Sequence, residues 1–176
     1  MLDAVTASAA PLSRTSAEAH LYLELTGCPA CGQPGFDGTS DMVLVDGEVL
    51  ARYRGRCRRC DTPREYLFRL PAEVPVPLGR HVVFGGPEPS ELFDPGEWLA
   101  VADLAANRAP IATQEDYALA AAAIDEVLKF IPPGADAVPR SALRTDTGRG
   151  IYEREPGRFL RARLEAVAAT FRSLAG

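Results

Sequence analysis

TGCPACGQPGFDGTSDMVLVDGEVLARYRGRCRRCD, residues 26–61, holds all four cysteines of the chain. They fall into two Cys-x-x-Cys pairs, Cys28/Cys31 and Cys57/Cys60, with 25 residues between the pairs. Met42–Val45 and Glu48–Arg54 flank Asp46-Gly47, the dipeptide that best supplies the two left-handed positions of a tight hairpin turn. The stretch predicts a β-hairpin over Asp41–Arg56 whose closure brings one cysteine pair beside the other. Arg64–Leu70, rich in aromatic and apolar residues, predicts a third strand pairing back onto the hairpin.

Outward from this segment the signals change. Residues 1–15, rich in Ala, Ser and Thr, read as a disordered lead-in. Thr15 with Glu18 three positions later is a capping-box pattern and predicts a helix to Leu25, with Leu21, Tyr22 and Leu25 on one face. Leu21, Leu23 and Leu25 also alternate as a strand would, but the cap favours the helix. Four prolines between Pro71 and Pro87 end the sheet, and His81–Phe84 reads as a short edge strand. Asp94-Pro95-Gly96-Glu97 starts a helix to about Asn107, burying Trp98, Val101, Leu104 and Ala105. Thr113 with Asp116 starts the next, whose stripe runs Tyr117, Ala121, Ile124, Leu128, Ile131. A last helix begins near Pro156 and repeats the spacing at Leu160, Leu164, Val167, Phe171 and Leu174. A short helical turn is expected at Pro139–Arg144 and an exposed, mobile loop at Thr145–Gly150. The expected fold class is α+β: an N-terminal four-cysteine module with a short antiparallel sheet, packed on three C-terminal helices. The expected divisions are a lead-in at 1–15, a β module at 16–93 and a helical part at 94–176, the last two sharing one core.

The cysteine spacing carries chemistry. A two-residue gap lets one tight turn aim two thiolates at a metal, and Gly32 after the first pair supplies a positive φ. Four thiolates satisfy a tetrahedral zinc ion and leave no open position for a catalytic water, which points to a structural ion held by Cys28, Cys31, Cys57 and Cys60. Two disulfides would need an oxidising compartment, and a thioredoxin-like pair would need a βαβ setting. Over residues 26–62 the chain resembles the zinc-ribbon superfamily, widespread in transcription, translation and RNA processing. The second knuckle departs from the common form by carrying Asp61 where glycine is frequent. The resemblance implies a fold and a Zn2+ ion, not an activity.

The chain has 176 residues and a net charge of −5, so general attraction to nucleic acid or an anionic membrane is not expected. No apolar run approaches the roughly 18 residues of a membrane span. The opening lacks the basic start and apolar stretch of a signal peptide, so a cytoplasmic location is expected. Eighteen arginines against one lysine, Lys129, suggest a GC-rich bacterial genome. Arg52, Arg54 and Arg56 alternate along one predicted strand and share a face. Arg58 and Arg59 extend that face over the second knuckle, with Tyr53, Tyr66 and Phe68 nearby to stack bases. This is a candidate surface for a partner, weighed against a solvated face whose arginines pair with acidic helices of the same chain.

Other motifs carry little. Asp146-Thr147-Gly148 matches an aspartic-protease signature but sits in a polar stretch between arginines. His20 and His81 stand without a nucleophile pattern. Glu97, Asp103, Asp116, Asp125 and Glu126 fall on helix starts or polar faces, where capping and solubility account for them. No catalytic residue emerges. The expected function is non-enzymatic: a zinc-ribbon protein that binds a macromolecular partner, another protein first, in the manner of a bacterial immunity or adaptor protein. A nucleic-acid-associated ribbon using the Arg52–Arg59 face is the alternative, and an enzyme with an unrecognised site is the third reading.

Overall fold

Asp46 and Gly47 turn the chain with φ of 52° and 84°, the two left-handed positions of a type I′ hairpin. The turn fixes the register, so Val45 faces Glu48 and Gly38 faces Gly55 across β1 (Gly38–Val45) and β2 (Glu48–Arg56). β3 (Pro63–Arg69) pairs antiparallel with the other side of β2, giving the order β1-β2-β3. The structure, a computed structural model, describes residues 6–73, 82–108 and 110–176. The chain is α+β and divides into two compact units, Met1–Pro75 and Val76–Gly176.

In the first unit, α1 (Ser16–Leu25) starts where the Thr15 hydroxyl accepts the Glu18 N–H at 3.1 Å. The expected helix forms, but its buried face is Ala19 and Leu23, with Glu18, rather than the Leu21/Leu25 side. The cause is the aromatic surface beneath it. Tyr22 meets Phe68 and Tyr66 edge-on, with centroids 5.9 and 6.5 Å apart, and Tyr53 packs on Phe68.

Residues 6–15 differ from the expected lead-in. A 3-10 turn at Ala7–Ala9 buries Ala7 and Ala10 against Leu50, with Val43, Val45 and Leu67 around them. Ala7 N–H donates to Asp46 Oδ2 at 3.2 Å, tying this turn to the hairpin tip. Leu12 then pairs in parallel with Arg69. Small side chains let this segment lie flat on the sheet, which is why an Ala/Ser-rich composition here does not mean disorder.

The second unit begins before its first helix. Phe84 and Phe93 pack on the fully buried Trp98 at 4.8 and 4.6 Å, so this stretch belongs with the helices and the boundary falls at Pro75, not at residue 93. Val82–Phe84 form no strand, and His81 lies outside the described residues. α2 (Pro95–Ala106) carries the expected capping box, Asp94 with Glu97, and buries Trp98, Val101 and Ala105, while Leu104 stays 60% exposed. α3 (Gln114–Leu128) carries the Thr113/Asp116 box and buries Ala121 and Ile124 with Ala120, Ala123 and Val127.

The expected loop at Thr145–Gly150 is instead α4 (Asp146–Arg154), so among the described residues four helices follow the sheet rather than three. Two features overrule the loop-like composition. The Thr145 hydroxyl accepts the Gly148 N–H at 3.0 Å. The fully buried Asp94 then joins two helix starts: one carboxylate oxygen accepts Gly96 and Glu97 N–H, and the other accepts Arg144 N–H, Thr145 N–H and the Thr145 hydroxyl. Gly148 is small for a reason, since a Cβ there would lie 2.3 Å from Asp94 Oδ1. A 3-10 turn at Pro156–Phe159 precedes α5 (Arg161–Ala175), which buries Leu164 and Ala168 and leaves Leu160 and Leu174 about half exposed. Among the described residues no helix is long and apolar enough to cross a membrane.

Candidate metal centre

The two Cys-x-x-Cys turns have the same construction. In the first, Cys28 N–H donates to Gln33 O and Gly32 N–H to Cys28 O, at 2.8 Å each. In the second, Cys57 N–H donates to Thr62 O and Asp61 N–H to Cys57 O, at 2.9 Å each. Gly32 has φ of 70° and Asp61 has 58°, so the aspartate takes the left-handed position that glycine fills in its twin. Aspartate tolerates this region better than most residues. The Arg56 guanidinium holds its carboxylate through two bonds of 2.7 and 2.6 Å and lowers its pKa below the ordinary value.

The hairpin carries the second turn to the first. All four Sγ atoms lie within 4.8 Å of one another, and the closest contacts run between turns: Cys28 to Cys60 at 3.7 Å and Cys31 to Cys57 at 3.6 Å. A tetrahedral thiolate site with metal–sulfur bonds of about 2.3 Å sets its sulfurs roughly 3.8 Å apart. All four cysteines are free thiols. Cys28, Cys31, Cys57 and Cys60 therefore form a group that can hold a metal ion.

The thiols are unequal. Cys28 and Cys57 are buried, Cys31 is half-buried and Cys60 is exposed. The Thr62 hydroxyl, 3.2 Å from Cys60 Sγ, and the Thr62 N–H bring the Cys60 thiol down to about 6. The N–H groups of Cys60 and Arg59 lower Cys57 as well. The Gln33 N–H pulls Cys31 down, but burial and hydrogen bonds to the other three thiols outweigh it and push it up to about 11. A cation that replaces these protons releases them.

Arg64 braces the first turn. It is 4% exposed, and its guanidinium lies over the rings of Phe36 and Tyr66 at 5.5 and 5.3 Å. It donates to Thr26 O at 2.7 Å, to Gly35 O and to the Tyr66 hydroxyl. Thr26 and Gly35 lie on either side of the Cys28–Gln33 turn, so one side chain fixes both of its ends.

The arginine face is built differently from the expectation. Arg52 donates to Asp41 through bonds of 3.0 and 2.6 Å, and Arg54 adds a third at 3.3 Å. Arg56 is taken by Asp61, and Arg58 lies 3.1 Å from Asp37. The counter-charges come from the same unit rather than from the helices: Met1–Pro75 contains eight arginines against ten carboxylates. Arg59 lines a shallow pocket with Arg58, Glu24 and Phe36. Counting outward from the Asp46-Gly47 turn places Asp41 opposite Arg52, so that pairing was readable from sequence. The bracing role of Arg64 was not, because its acceptors are backbone carbonyls 38 and 29 residues away.

Comparison with known protein families, curated proteins and solved structures gives no match, so the centre stands on its own geometry.

Proposed function

We propose that the Met1–Pro75 unit is a zinc ribbon, that its ion is a structural Zn2+, and that the protein acts by binding another protein rather than by catalysis. One observation carries the metal reading: four free thiols gathered by two matched turns at sulfur separations of 3.6–3.7 Å across the turns. Four soft thiolates in a compact tetrahedral set favour zinc over calcium or magnesium. With every position taken by protein, the ion shapes the fold and has no site for an activated water.

The pairing of Arg52, Arg54, Arg56 and Arg58 with carboxylates supports a protein partner over a nucleic acid. Phosphate binding draws on cations that release counterions, and paired arginines offer few of them. Exposed Met42, Leu44 and Val49 on the hairpin give the same unit apolar surface of the kind protein partners use. A cytoplasmic adaptor or immunity-like role is the form this reading takes.

The test is metal analysis of the purified chain. About one zinc per chain is expected, with loss of all four thiols from titration until a chelator is added. A metal-free protein with four reactive thiols and an unchanged fold overturns the reading. For the partner, retention on DNA or heparin resin that disappears in the Arg52→Ala/Arg54→Ala/Arg56→Ala variant favours nucleic acid instead.

A further inference from the structure

We propose that Cys60 is an oxidation site, and that hydroperoxides convert the cluster into disulfides that cross between the two turns, Cys28–Cys60 first and Cys31–Cys57 second. The inference concerns the same four thiols as the zinc reading and adds a reaction to it. Two observations meet here. Cys60 is the exposed member of the cluster, whereas Cys28 and Cys57 are 2% and 4% exposed. An oxidant in solution reaches Cys60 before the buried pair. The second is distance: Cys28 lies 3.7 Å from Cys60 across the turns, and the remaining two thiols face each other at 3.6 Å.

The chemistry balances with one peroxide per disulfide. The Cys60 thiolate attacks the near oxygen of the hydroperoxide; an S–O bond forms, the O–O bond breaks, and hydroxide or alkoxide leaves. Cys60 is then a sulfenic acid. The Cys28 thiolate attacks that sulfur; the S–S bond forms, the S–O bond breaks, and hydroxide leaves to become water. Each sulfur has given one electron and the peroxide has taken two. Consuming Cys28 and Cys60 leaves Cys31 and Cys57 as the only thiolates, too few for a tetrahedral site, so oxidation discharges any bound ion. The cross-turn bonds would hold the hairpin end closed after the ion has gone, which lets the unit pass between a metal-held and a disulfide-held form.

The experiment treats the full chain with hydrogen peroxide, blocks remaining thiols with iodoacetamide and maps the bonds after trypsin. The sequence suits it: Arg58 and Arg59 separate Cys57 from Cys60, while Cys28 and Cys31 stay together on Thr15–Arg52. The first product should have lost two of its four thiols and should link Thr15–Arg52 to Cys60–Arg64, with fragmentation placing the bond on Cys28. Zinc, followed with a chromogenic chelator, should leave in step with that product. Bonds within a turn, Cys28–Cys31 or Cys57–Cys60, overturn the proposal, as does a sulfinic acid on Cys60 with no disulfide. The mapping is repeated on metal-free protein. If no zinc is ever bound, the zinc reading falls while the cross-turn bonds still test the oxidation proposal. A Cys60→Ser variant should lose the first product, and amides still protected at Val45 and Glu48 after metal removal would show that the turn end of the hairpin is folded for the comparison.

Discussion

Arg64 gives the sharpest test of how the centre is held. Replacing it by leucine keeps most of its bulk between Phe36 and Tyr66 but removes every donor. Two part-buried backbone carbonyls, Thr26 O and Gly35 O, lose a charged partner. Each orphaned acceptor costs about 1–3 kcal/mol. The lost ring contacts add about 0.5–2 kcal/mol. These terms sum to about 2.5–8 kcal/mol, and removal of one member of a buried pair costs about 3–5 kcal/mol, so Arg64→Leu should lose roughly 3–5 kcal/mol. Because both carbonyls border the Cys28–Gln33 turn, the loss should fall on the metal. At about 1.4 kcal/mol per tenfold, apparent zinc affinity should drop by roughly two to three and a half orders of magnitude. Arg64→Lys, which keeps the charge but lacks the fork of donors, should fall between. Competition against a chromophoric chelator measures the affinity. Trp98, the only tryptophan and a member of the second unit, should report no change in its fluorescence. An Arg64→Leu protein that binds zinc within about tenfold of the parent would refute the bracing role.

Three further outcomes follow from particular contacts. Gly148→Ala forces a Cβ to within 2.3 Å of the Asp94 carboxylate and should cost about 3 kcal/mol, read as a lower urea midpoint of Trp98 fluorescence. Gly32, with φ of 70° and open space around its Cα, should accept Asn at little cost, as its twin accepts Asp61, while Gly32→Val should lose at least about 1–2 kcal/mol and bind zinc more weakly. Asp116 is held below the ordinary value of 3.8, first by the Thr113 N–H and then by its hydroxyl. Its folded pKa is depressed, so its contribution is present above about pH 3.8 and is lost as the pH falls through the folded value. Asp116→Asn should thus be less stable than the parent at neutral pH, and the gap should close in acid; a gap constant from pH 7 to pH 2 contradicts this assignment.

Local signals in the sequence located the elements well wherever chemistry and geometry are short-ranged. The Asp46-Gly47 turn, the Thr15, Asp94 and Thr113 caps and the cysteine spacing each act within a few residues, and each forms as read. What was not legible depends on distant partners. Thr145–Gly150 looks like a loop until Asp94, more than 50 residues earlier, is placed at its start. Residues 6–15 look unstructured until the sheet offers Leu50 and Arg69 to pack and pair with. The arginine face looked basic because strand alternation was counted along β2 alone. Its pairing with Asp41 was legible, since register counted outward from the Asp46-Gly47 turn sets Asp41 opposite Arg52 and within reach of Arg54.

The distribution of apolar groups along the hairpin explains why a metal belongs at one end of it. At the turn end, Leu50 is buried with Ala7 and Ala10 and flanked by Val43, Val45 and Leu67, and Ala7 pins Asp46. At the other end Gly38 faces Gly55, and neither can carry a side chain: a Cβ on either would approach a carbonyl oxygen to 2.2 Å. Beside that end lie the four sulfurs, the Arg64 guanidinium and the Phe36 and Tyr66 rings that cover it. A small unit whose facing strands carry no side chains at one end gains a staple there from four thiolates on an ion. Metal removal should therefore open the hairpin from the cysteine end. Amide exchange after chelation should rise first around Gly38 and Gly55 and last at Val45 and Glu48, with Trp98 unmoved. Simultaneous loss of protection along the whole of β1 and β2 would show instead that the ion supports the entire core, and the division of labour between the two ends would have to be abandoned.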